Sequence, residues 1–201
     1  MYREYPVPGA TTVGIACKDG VILAAEKRVT YGYLLLSKTG KKIFKLTDRI
    51  GAACAGLIGD MQTLVREASA YASIYALERR RPISVGAMAK LIANLLFERR
   101  LFPLITQTII GGVDIEGSHV YVLDPLGSVI PDKYASVGSG AEIATGILEA
   151  EYKDDLTIEQ GKNLALRSIK AAVARDIQSG DGVDFLIITA DGSREESIDF
   201  K

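Results

Sequence analysis

Few residues of this chain belong to the types that usually carry out nucleophilic or metal-centred chemistry. The only histidine, His119, stands alone beside a predicted strand, so neither a Ser–His triad nor a histidine-rich metal site is expected. The two cysteines, Cys17 and Cys54, each lie inside an apolar run. Such cysteines are typical of small core side chains in a reducing compartment, not of a disulfide framework. We therefore expect no metal and no cofactor.

Two charged residues in the first third of the chain, Glu26 and Lys42, adjoin predicted strands. Glu26 lies near the end of Val21–Arg28, an otherwise apolar run of the kind that is covered on both faces. Lys42 follows Lys41 at the start of another strand, where the sequence alone favours a solvated surface lysine. Neither residue identifies a reaction by itself.

The composition is that of an ordinary globular protein, and it excludes several classes of function. The chain has 201 residues, enough for one domain with a substantial core, and 48% of them are hydrophobic. Its formal net charge of -1 gives no general attraction to nucleic acid or to an anionic membrane. There is no apolar run of transmembrane length, and the first residues lack the apolar centre of a signal peptide. We expect a soluble, cytoplasmic protein.

The hydrophobic pattern predicts strands, two helices, strands, two helices and closing strands. In the first block, Lys18–Gly20 is expected to form a hairpin turn with positive φ at the glycine. Helical spacing of apolar residues runs from Ile58 to about Arg79, and Ser84 is a candidate N-cap for the next helix. Two antiparallel sheets stacked face to face, with helices on the outer faces, would bury every apolar stripe. The remaining predicted elements are strands Thr11–Cys17, Val21–Arg28, Lys42–Leu46, Arg49–Gly56, Leu104–Asp114, Ser118–Asp124, Ser128–Ile130, Tyr134–Gly138 and Val183–Ala190, and helices Ala141–Tyr152 and Ile158–Gln178, the last with a capping box at Thr157 and Gln160.

Seven short blocks of the sequence are specific through their joint order and spacing. They are Gly9–Ile15, Lys18–Arg28, Lys41–Phe44, Ala55–Asp60, Gly111–Asp114, Ala135–Gly140 and Arg175–Gly180. Together they resemble the β-type subunits of the 20S proteasome, with an archaeal-like simplicity, from about residue 9 to 190. The resemblance implies an α+β fold, the four-layer αββα sandwich of the N-terminal nucleophile hydrolases. It also implies a propeptide at residues 1–9 and a single β-type domain at residues 10–201.

The resemblance implies the chemistry of a threonine endopeptidase. In the family, removal of a short propeptide exposes a threonine whose hydroxyl attacks a peptide carbonyl while its own α-amine acts as base. A lysine and a carboxylate, implied here at Lys42 and Glu26, keep these groups in a reactive protonation state. A backbone N–H, implied at Gly56, stabilises the oxyanion. The other implied positions are Ser139, Asp176 and Ser179 around the nucleophile, Val29, Thr30 and Cys54 along the substrate groove, and Gly9 before the cleavage point.

Taken without the resemblance, some of these positions have simpler interpretations. Gly56 is then a bulge or turn glycine, a role that is compatible with oxyanion binding. Ser139, which stands between two glycines, is then an ordinary loop serine. With the resemblance, Val29 and Cys54 would make the first specificity pocket apolar and of middling size.

Ala10 occupies the position of the family's nucleophile, and an alanine has no hydroxyl. Strand side chains alternate, so Thr11 is expected to point to the face opposite Ala10. Thr12 shares the face of Ala10 but lies two residues further along, about 7 Å away. Catalytic geometry tolerates much smaller errors, so neither threonine is a credible replacement. We expect an inactive chain that keeps residues 1–9 attached.

Two explanations for Ala10 stay open. The alanine is either an engineered replacement that stops self-cleavage, or a natural feature of an inactive β subunit that assembles beside an active one. The resemblance implies α and β subunits as partners, in seven-membered rings of a 28-subunit barrel, with a regulatory ATPase acting indirectly and unfolded proteins as substrates. A non-catalytic α subunit, a bacterial two-component relative and a binding or scaffold module with the same fold are the rival interpretations.

Overall fold

The computed structural model describes residues 9–200, so most of the predicted propeptide, residues 1–8, lies outside the described residues. The strands are β1 (Thr12–Cys17), β2 (Gly20–Glu26), β3 (Val29–Tyr31), β4 (Leu34–Ser37), β5 (Ile43–Lys45), β6 (Ile50–Gly56), β7 (Thr106–Asp114), β8 (Gly117–Leu123), β9 (Ile130–Asp132), β10 (Tyr134–Val137), β11 (Gly182–Thr189) and β12 (Gly192–Asp199). The helices are α1 (Ile58–Arg79), α2 (Val85–Glu98), α3 (Ala141–Glu151) and α4 (Ile158–Val173).

Ten of the strands form two five-stranded sheets, which confirms the predicted α+β arrangement. The first sheet has the order β10-β1-β2-β11-β12, and the second has the order β5-β6-β7-β8-β9. Neighbouring strands are antiparallel throughout both sheets. β2 lies at the centre of the first sheet and is buried along its whole length, as its nearly continuous apolar sequence predicts.

Three buried apolar layers hold the elements together. One lies between the two sheets and includes Leu23, Ala25 and Ile109. A second layer packs α3 and α4 onto the first sheet through residues such as Ile169 and Phe185. A third packs α1 and α2 onto the second sheet. The order is therefore helix, sheet, sheet, helix, and the predicted four-layer sandwich is confirmed.

Two helices, α2 and α4, begin directly after the capping residues that the sequence predicts. At the start of α2, the Ser84 hydroxyl accepts a hydrogen bond from the N–H of Ala87 at 3.3 Å. At the start of α4, both bonds of the capping box between Thr157 and Gln160 are present. None of the helices within residues 9–200 is both long enough and apolar enough to cross a membrane.

Helix α4 ends at Val173, well before its predicted end at Gln178. Asp176 interrupts it, because Oδ1 of Asp176 accepts a hydrogen bond from the N–H of Gln178 at 3.1 Å, and its carbonyl accepts one from the N–H of Ser179 at 3.2 Å. Side chains such as Asp compete with helical backbone bonds in this way. Because the helical spacing of apolar residues continues through Ile177, the sequence gives no sign that the helix ends early. Residues 174–181 form a loop, called here the α4–β11 loop.

Two local predictions about turns and strands are wrong. Gly20 does not have positive φ; it opens β2, and a Cβ there would overlap the carbonyl oxygen of Ile188. The glycine is therefore needed for close packing. β9 begins at Ile130, not at Ser128, because Asp124 accepts hydrogen bonds from both the N–H and the hydroxyl of Ser128 and holds it in a turn.

The β3–β4 hairpin was not anticipated from the sequence. Its residues lack the polar alternation that marks a half-buried strand. Tyr33, Leu34 and Leu36 are each more than half exposed. The hairpin begins at Val29, directly after Arg28.

Candidate functional site

A buried ion pair joins Glu26, the last residue of β2, to Lys42, the residue before β5. Their side chains are 0% and 2% exposed, so Lys42 is not the surface lysine that its sequence position alone favours. Nζ of Lys42 donates to Oε1 of Glu26 and, at 2.5 Å, to the carbonyl oxygen of Arg28. Oε2 of Glu26 accepts hydrogen bonds from the N–H groups of Arg28 at 2.7 Å and Gly180 at 2.9 Å. Both carboxylate oxygens therefore have partners.

Burial changes the proton affinity of both members of this pair. Removal from water raises the pKa of Glu26, and the contacts with Lys42 and two backbone N–H groups oppose that rise only in part. Removal from water likewise lowers the pKa of Lys42, against the attraction of Glu26. The two pKa values are thus drawn toward each other. A lysine whose pKa is lowered in this way gives up its proton more readily than a solvated lysine does.

A second polar group lies beside the first and is centred on Asp176. Oδ2 of Asp176 accepts hydrogen bonds from the hydroxyls of Ser139 and Ser179, each at 2.6 Å. The Ser179 hydroxyl also lies 2.8 Å from the hydroxyl of Thr11. Ser139 accepts the N–H of Ala10 at 3.1 Å. The early end of α4 makes this possible, since it places Asp176 and Ser179 in a loop that reaches back to the first sheet.

The two polar groups meet at the peptide bond between Ala10 and Thr11. Oε1 of Glu26, which contacts Lys42, also lies 3.4 Å from the backbone nitrogen of Thr11. Ala10 is fully buried, and its methyl group packs in the layer between the sheets. The Thr11 hydroxyl faces Ser179 and the α4–β11 loop instead, so the predicted alternation of Ala10 and Thr11 is confirmed.

An open cleft of about 390 Å³ adjoins this meeting point. Gly56, at the end of β6, forms part of its wall and has a φ of +140°, and a Cβ there would overlap the carbonyl oxygen of Ile105. This conformation and this close contact favour glycine. The N–H of Gly138 is held by the side chain of Gln107 at 3.0 Å on another wall. The residues around the cleft are Gly9, Ala55, Gly56, Ile105, Thr106, Gln107, Pro125, Gly138, Ser139 and Gln178.

The three residues implied for the substrate groove do not line this cleft. Val29 is partly buried and packs against Gly40. Thr30 is buried, and among residues 9–200 its hydroxyl has no hydrogen-bond partner, so it could serve an incoming ligand. Cys54 is fully buried in the layer beneath α1 and α2, where its burial raises the pKa of the thiol to about 12. Its thiol is therefore a core group, not a nucleophile.

Sequence reasoning missed three residues of this region. Arg28 and Asp181 form an ion pair with 2.8 Å between Nε and Oδ2, and Gln178 forms one wall of the cleft. Arg28 lies inside a block that carries the family resemblance, and that was the only available signal for it. Gln178 also lies inside such a block, but it was predicted to end a helix, and Asp181 follows the block, so the sequence does not indicate how the two residues are arranged.

A second cluster of titratable groups lies at the β7–β8 turn, where His119 is not as isolated as its sequence position suggests. Ligand atoms of Asp114, Glu116 and His119 lie within 4.8 Å of one another. However, both carboxylate oxygens of Asp114 already accept hydrogen bonds, from the N–H groups of Val85 and Glu116 and from His119. The cluster is thus part of the turn and of the start of α2.

Comparison with known proteins identifies the family. A family model described as "Proteasome subunit" matches residues 7–188 of the chain. The chain is 49% identical over 190 residues to proteasome subunit beta 2 of Pyrobaculum calidifontis, which covers 94% of each chain. It is 48% identical over 195 residues to proteasome subunit beta 1 of Nitrosopumilus maritimus, which covers 97% of this chain and 98% of that one. The chain therefore belongs to the proteasome subunit family, as a β-type member.

Proposed function

We propose that this chain is a β subunit of the 20S proteasome core that is held in an unprocessed, inactive form by the alanine at its nucleophile position. The supporting observation is that one carboxylate oxygen of Glu26 has two contacts. Its Oε1 lies against both Lys42 and the N–H that follows Ala10. A buried pair suited to proton transfer thus contacts the backbone next to Ala10, whose side chain has no proton to give.

The same geometry supports a role for each neighbouring residue once a threonine stands at position 10. Lys42, with Glu26 beside it, would take the hydroxyl proton during attack on a peptide carbonyl. Ser139, already within 3.1 Å of the nitrogen of Ala10, would bind the α-amine that propeptide removal exposes, and Asp176 would orient Ser139. Gly56 would donate its N–H to the oxyanion in the cleft. With Ala10 none of these groups has a nucleophile to act on.

Assembly is part of the proposal. The relatives named beta 1 and beta 2 are archaeal proteasome subunits, and this chain matches them over nearly their full length. We propose that it joins α and β subunits in seven-membered rings of a cytoplasmic 28-subunit barrel. Unfolded proteins, delivered through a regulatory ATPase, would be degraded there by the active subunits.

Substitution Ala10→Thr tests the proposal directly, with Ala10→Val as a control of the same size without a hydroxyl. Each variant is co-expressed with a proteasome α subunit, and the assembled particles are analysed by intact mass and by cleavage of hydrophobic fluorogenic peptides. We expect only Ala10→Thr to lose residues 1–9 and to cleave peptides. A parent chain that already starts at residue 10 or 11, or an inert Ala10→Thr particle, would contradict the proposal.

A second candidate function is that of a natural structural subunit beside an active β type. It is supported by the hydrogen bonds of Lys42. Its Nζ donates to both Glu26 and the carbonyl of Arg28, so the lysine has partners even without a threonine hydroxyl. Native mass spectrometry after co-expression with α subunits and an active β subunit tests this candidate. We expect mixed β rings. Particles that exclude this chain, or a stable monomer under the same conditions, would favour a scaffold role outside the barrel.

A further inference from the structure

We propose that Asp181 is a positioning residue, whose carboxylate, bound by Arg28, fixes the α4–β11 loop against the site. Through this loop it places the Ser179 hydroxyl beside Thr11 and the Gly180 N–H on Glu26. The catalytic consequence rests on the function proposed above, but the positioning itself is a property of the chain as it stands.

The backbone of Asp181 is the first observation. Its φ is +69°, and within residues 9–200 only Arg80, at the end of α1, shares a positive φ among residues other than glycine. A side chain with a Cβ disfavours this conformation, although Asp tolerates it better than most. Such a conformation persists where the surroundings determine it from several sides, and it is often found next to functional sites.

The contacts of Asp181 show how it is held. Nε of Arg28 donates to its Oδ2 at 2.8 Å, and the N–H of Phe200 donates to its carbonyl at 3.2 Å. The carboxylate is 13% exposed and the guanidinium 27% exposed, so water screens this pair less than a surface pair. The loop is therefore tied both to the end of β2 and to the residue that follows β12.

Arg28 extends this hold over the rest of the loop. Its Nη1 donates to the carbonyl of Ile177 at 3.0 Å, and its guanidinium packs so closely on Gly180 that a Cβ there would overlap it. The backbone of Arg28 contacts the buried ion pair. Its N–H donates a hydrogen bond to Glu26, and its carbonyl accepts one from Lys42. One residue thus connects the buried ion pair with the loop, and Asp181 anchors its side chain.

The consequence for the site follows from the loop's own hydrogen bonds. Gly180 donates its N–H to Oε2 of Glu26 at 2.9 Å, and the Gly180 carbonyl accepts the N–H of Lys27 at 3.2 Å. A loop released from Arg28 would lose the first bond and withdraw Ser179 from Thr11. Since hydrogen bonds to the charged form favour ionisation, Glu26 would then become harder to ionise.

Substitution Asp181→Gly tests whether the carboxylate of Asp181 holds the loop or whether residue 181 only has to adopt a positive φ. Glycine fits a φ of +69° better than aspartate but cannot bind Arg28. Hydrogen exchange of the parent chain, Asp181→Gly and Asp181→Asn is followed by mass spectrometry over the α4–β11 loop. We expect exchange in this loop to be about tenfold faster in Asp181→Gly at an unchanged unfolding midpoint, and Asp181→Asn to lie between because it keeps an oxygen for Arg28. Unchanged exchange in Asp181→Gly would overturn the proposal.

The second readout uses the Ala10→Thr background in assembled particles. There Asp181→Gly should slow peptide cleavage about tenfold and move the acid limb of its pH profile to higher pH. A role in stability alone would change the amount of particle but not this limb. If the limb stays in place, Asp181 does not position the site. If Ala10→Thr particles are themselves inactive, the proposed function fails, and hydrogen exchange in the unmodified chain alone decides the role of Asp181.

Discussion

Two clusters of ionisable side chains lie near opposite ends of β7, and they differ in how the chain builds them. Thr106, where β7 begins, lines the cleft beside the Glu26–Lys42 pair, and Asp114, where it ends, belongs to the cluster with Glu116 and His119. By residue type, the second cluster is the more suggestive, because it combines a histidine with two carboxylates. By structure, only the first of the two is almost completely removed from water.

The difference lies in sequence separation and burial. Glu26 ends β2 and Lys42 precedes β5, and Glu26 has a further partner, Gly180, from the distant α4–β11 loop. Both side chains are almost completely removed from water. The Asp114 cluster spans one short turn and keeps contact with solvent. A buried charge whose partners come from distant parts of the chain has no water around it. Its pKa therefore depends on each of those partners. In a local cluster that keeps contact with solvent, water can replace any hydrogen-bond partner that is lost.

The largest expected effect comes from removal of one member of the buried pair. Lys42→Met leaves the Glu26 carboxylate buried without its cation, and we expect the free energy of unfolding to fall by about 3–5 kcal/mol. Chemical denaturation measures this value. Lys41→Met is the matched control, since Lys41 is 52% exposed and its ion pair with Glu195 is worth about 0–1 kcal/mol. Equal losses in the two variants would show that the pair is not effectively buried.

An intermediate effect is expected from alanine at two glycines with positive φ, one near each cluster. Gly56 has a φ of +140° and no room for a Cβ beside Ile105, and Gly117 has a φ of +121° with open space around it. Gly117→Ala should cost about 1 kcal/mol from backbone strain alone, and Gly56→Ala should approach about 3 kcal/mol because overlap adds to strain. Thermal unfolding of both variants tests this order. A larger loss in Gly117→Ala would contradict it.

The sequence predicted the architecture well, because apolar periodicity reports burial and burial defines the layers. The helical spacing of Ile58–Arg79 corresponds to a helix that packs on a sheet, and the continuous apolar run of β2 corresponds to a central strand. Glu26 and Lys42 looked ordinary by themselves, and only the family resemblance singled them out. Their burial depends on contacts across the whole fold, which no local pattern records.

Other features escaped prediction for the same reason. The end of α4 depends on side-chain bonds of Asp176 that override a continuing apolar pattern. The positive φ of Asp181 depends on Arg28, which is far away in the sequence. His119 looks isolated in the sequence because residue spacing does not record that the β7–β8 turn brings Asp114 next to it. Residue types and spacing therefore indicate candidates, and contacts decide among them.

The smallest expected effect concerns Asp114, whose carboxylate caps the start of α2. Burial acts to raise the pKa of Asp114, but the N–H groups of Val85 and Glu116, together with His119, more than offset it and hold the pKa below its ordinary value. Asp114→Ala should therefore cost about 1 kcal/mol at pH 7.

This contribution of Asp114 should depend on pH in one direction. Because its pKa is lower in the folded chain, its stabilisation is complete above the unfolded value of about 3.9 and is lost as pH falls through the folded value. The stability difference between the parent and Asp114→Ala, measured by chemical denaturation, should thus shrink as the pH falls below about 4. Glu116→Ala, at an exposed neighbour, should show neither the loss nor the pH dependence. A difference that grows as the pH falls below about 4 would mean that the charge of Asp114 destabilises this turn, and the two clusters would then be more alike than their burial indicates.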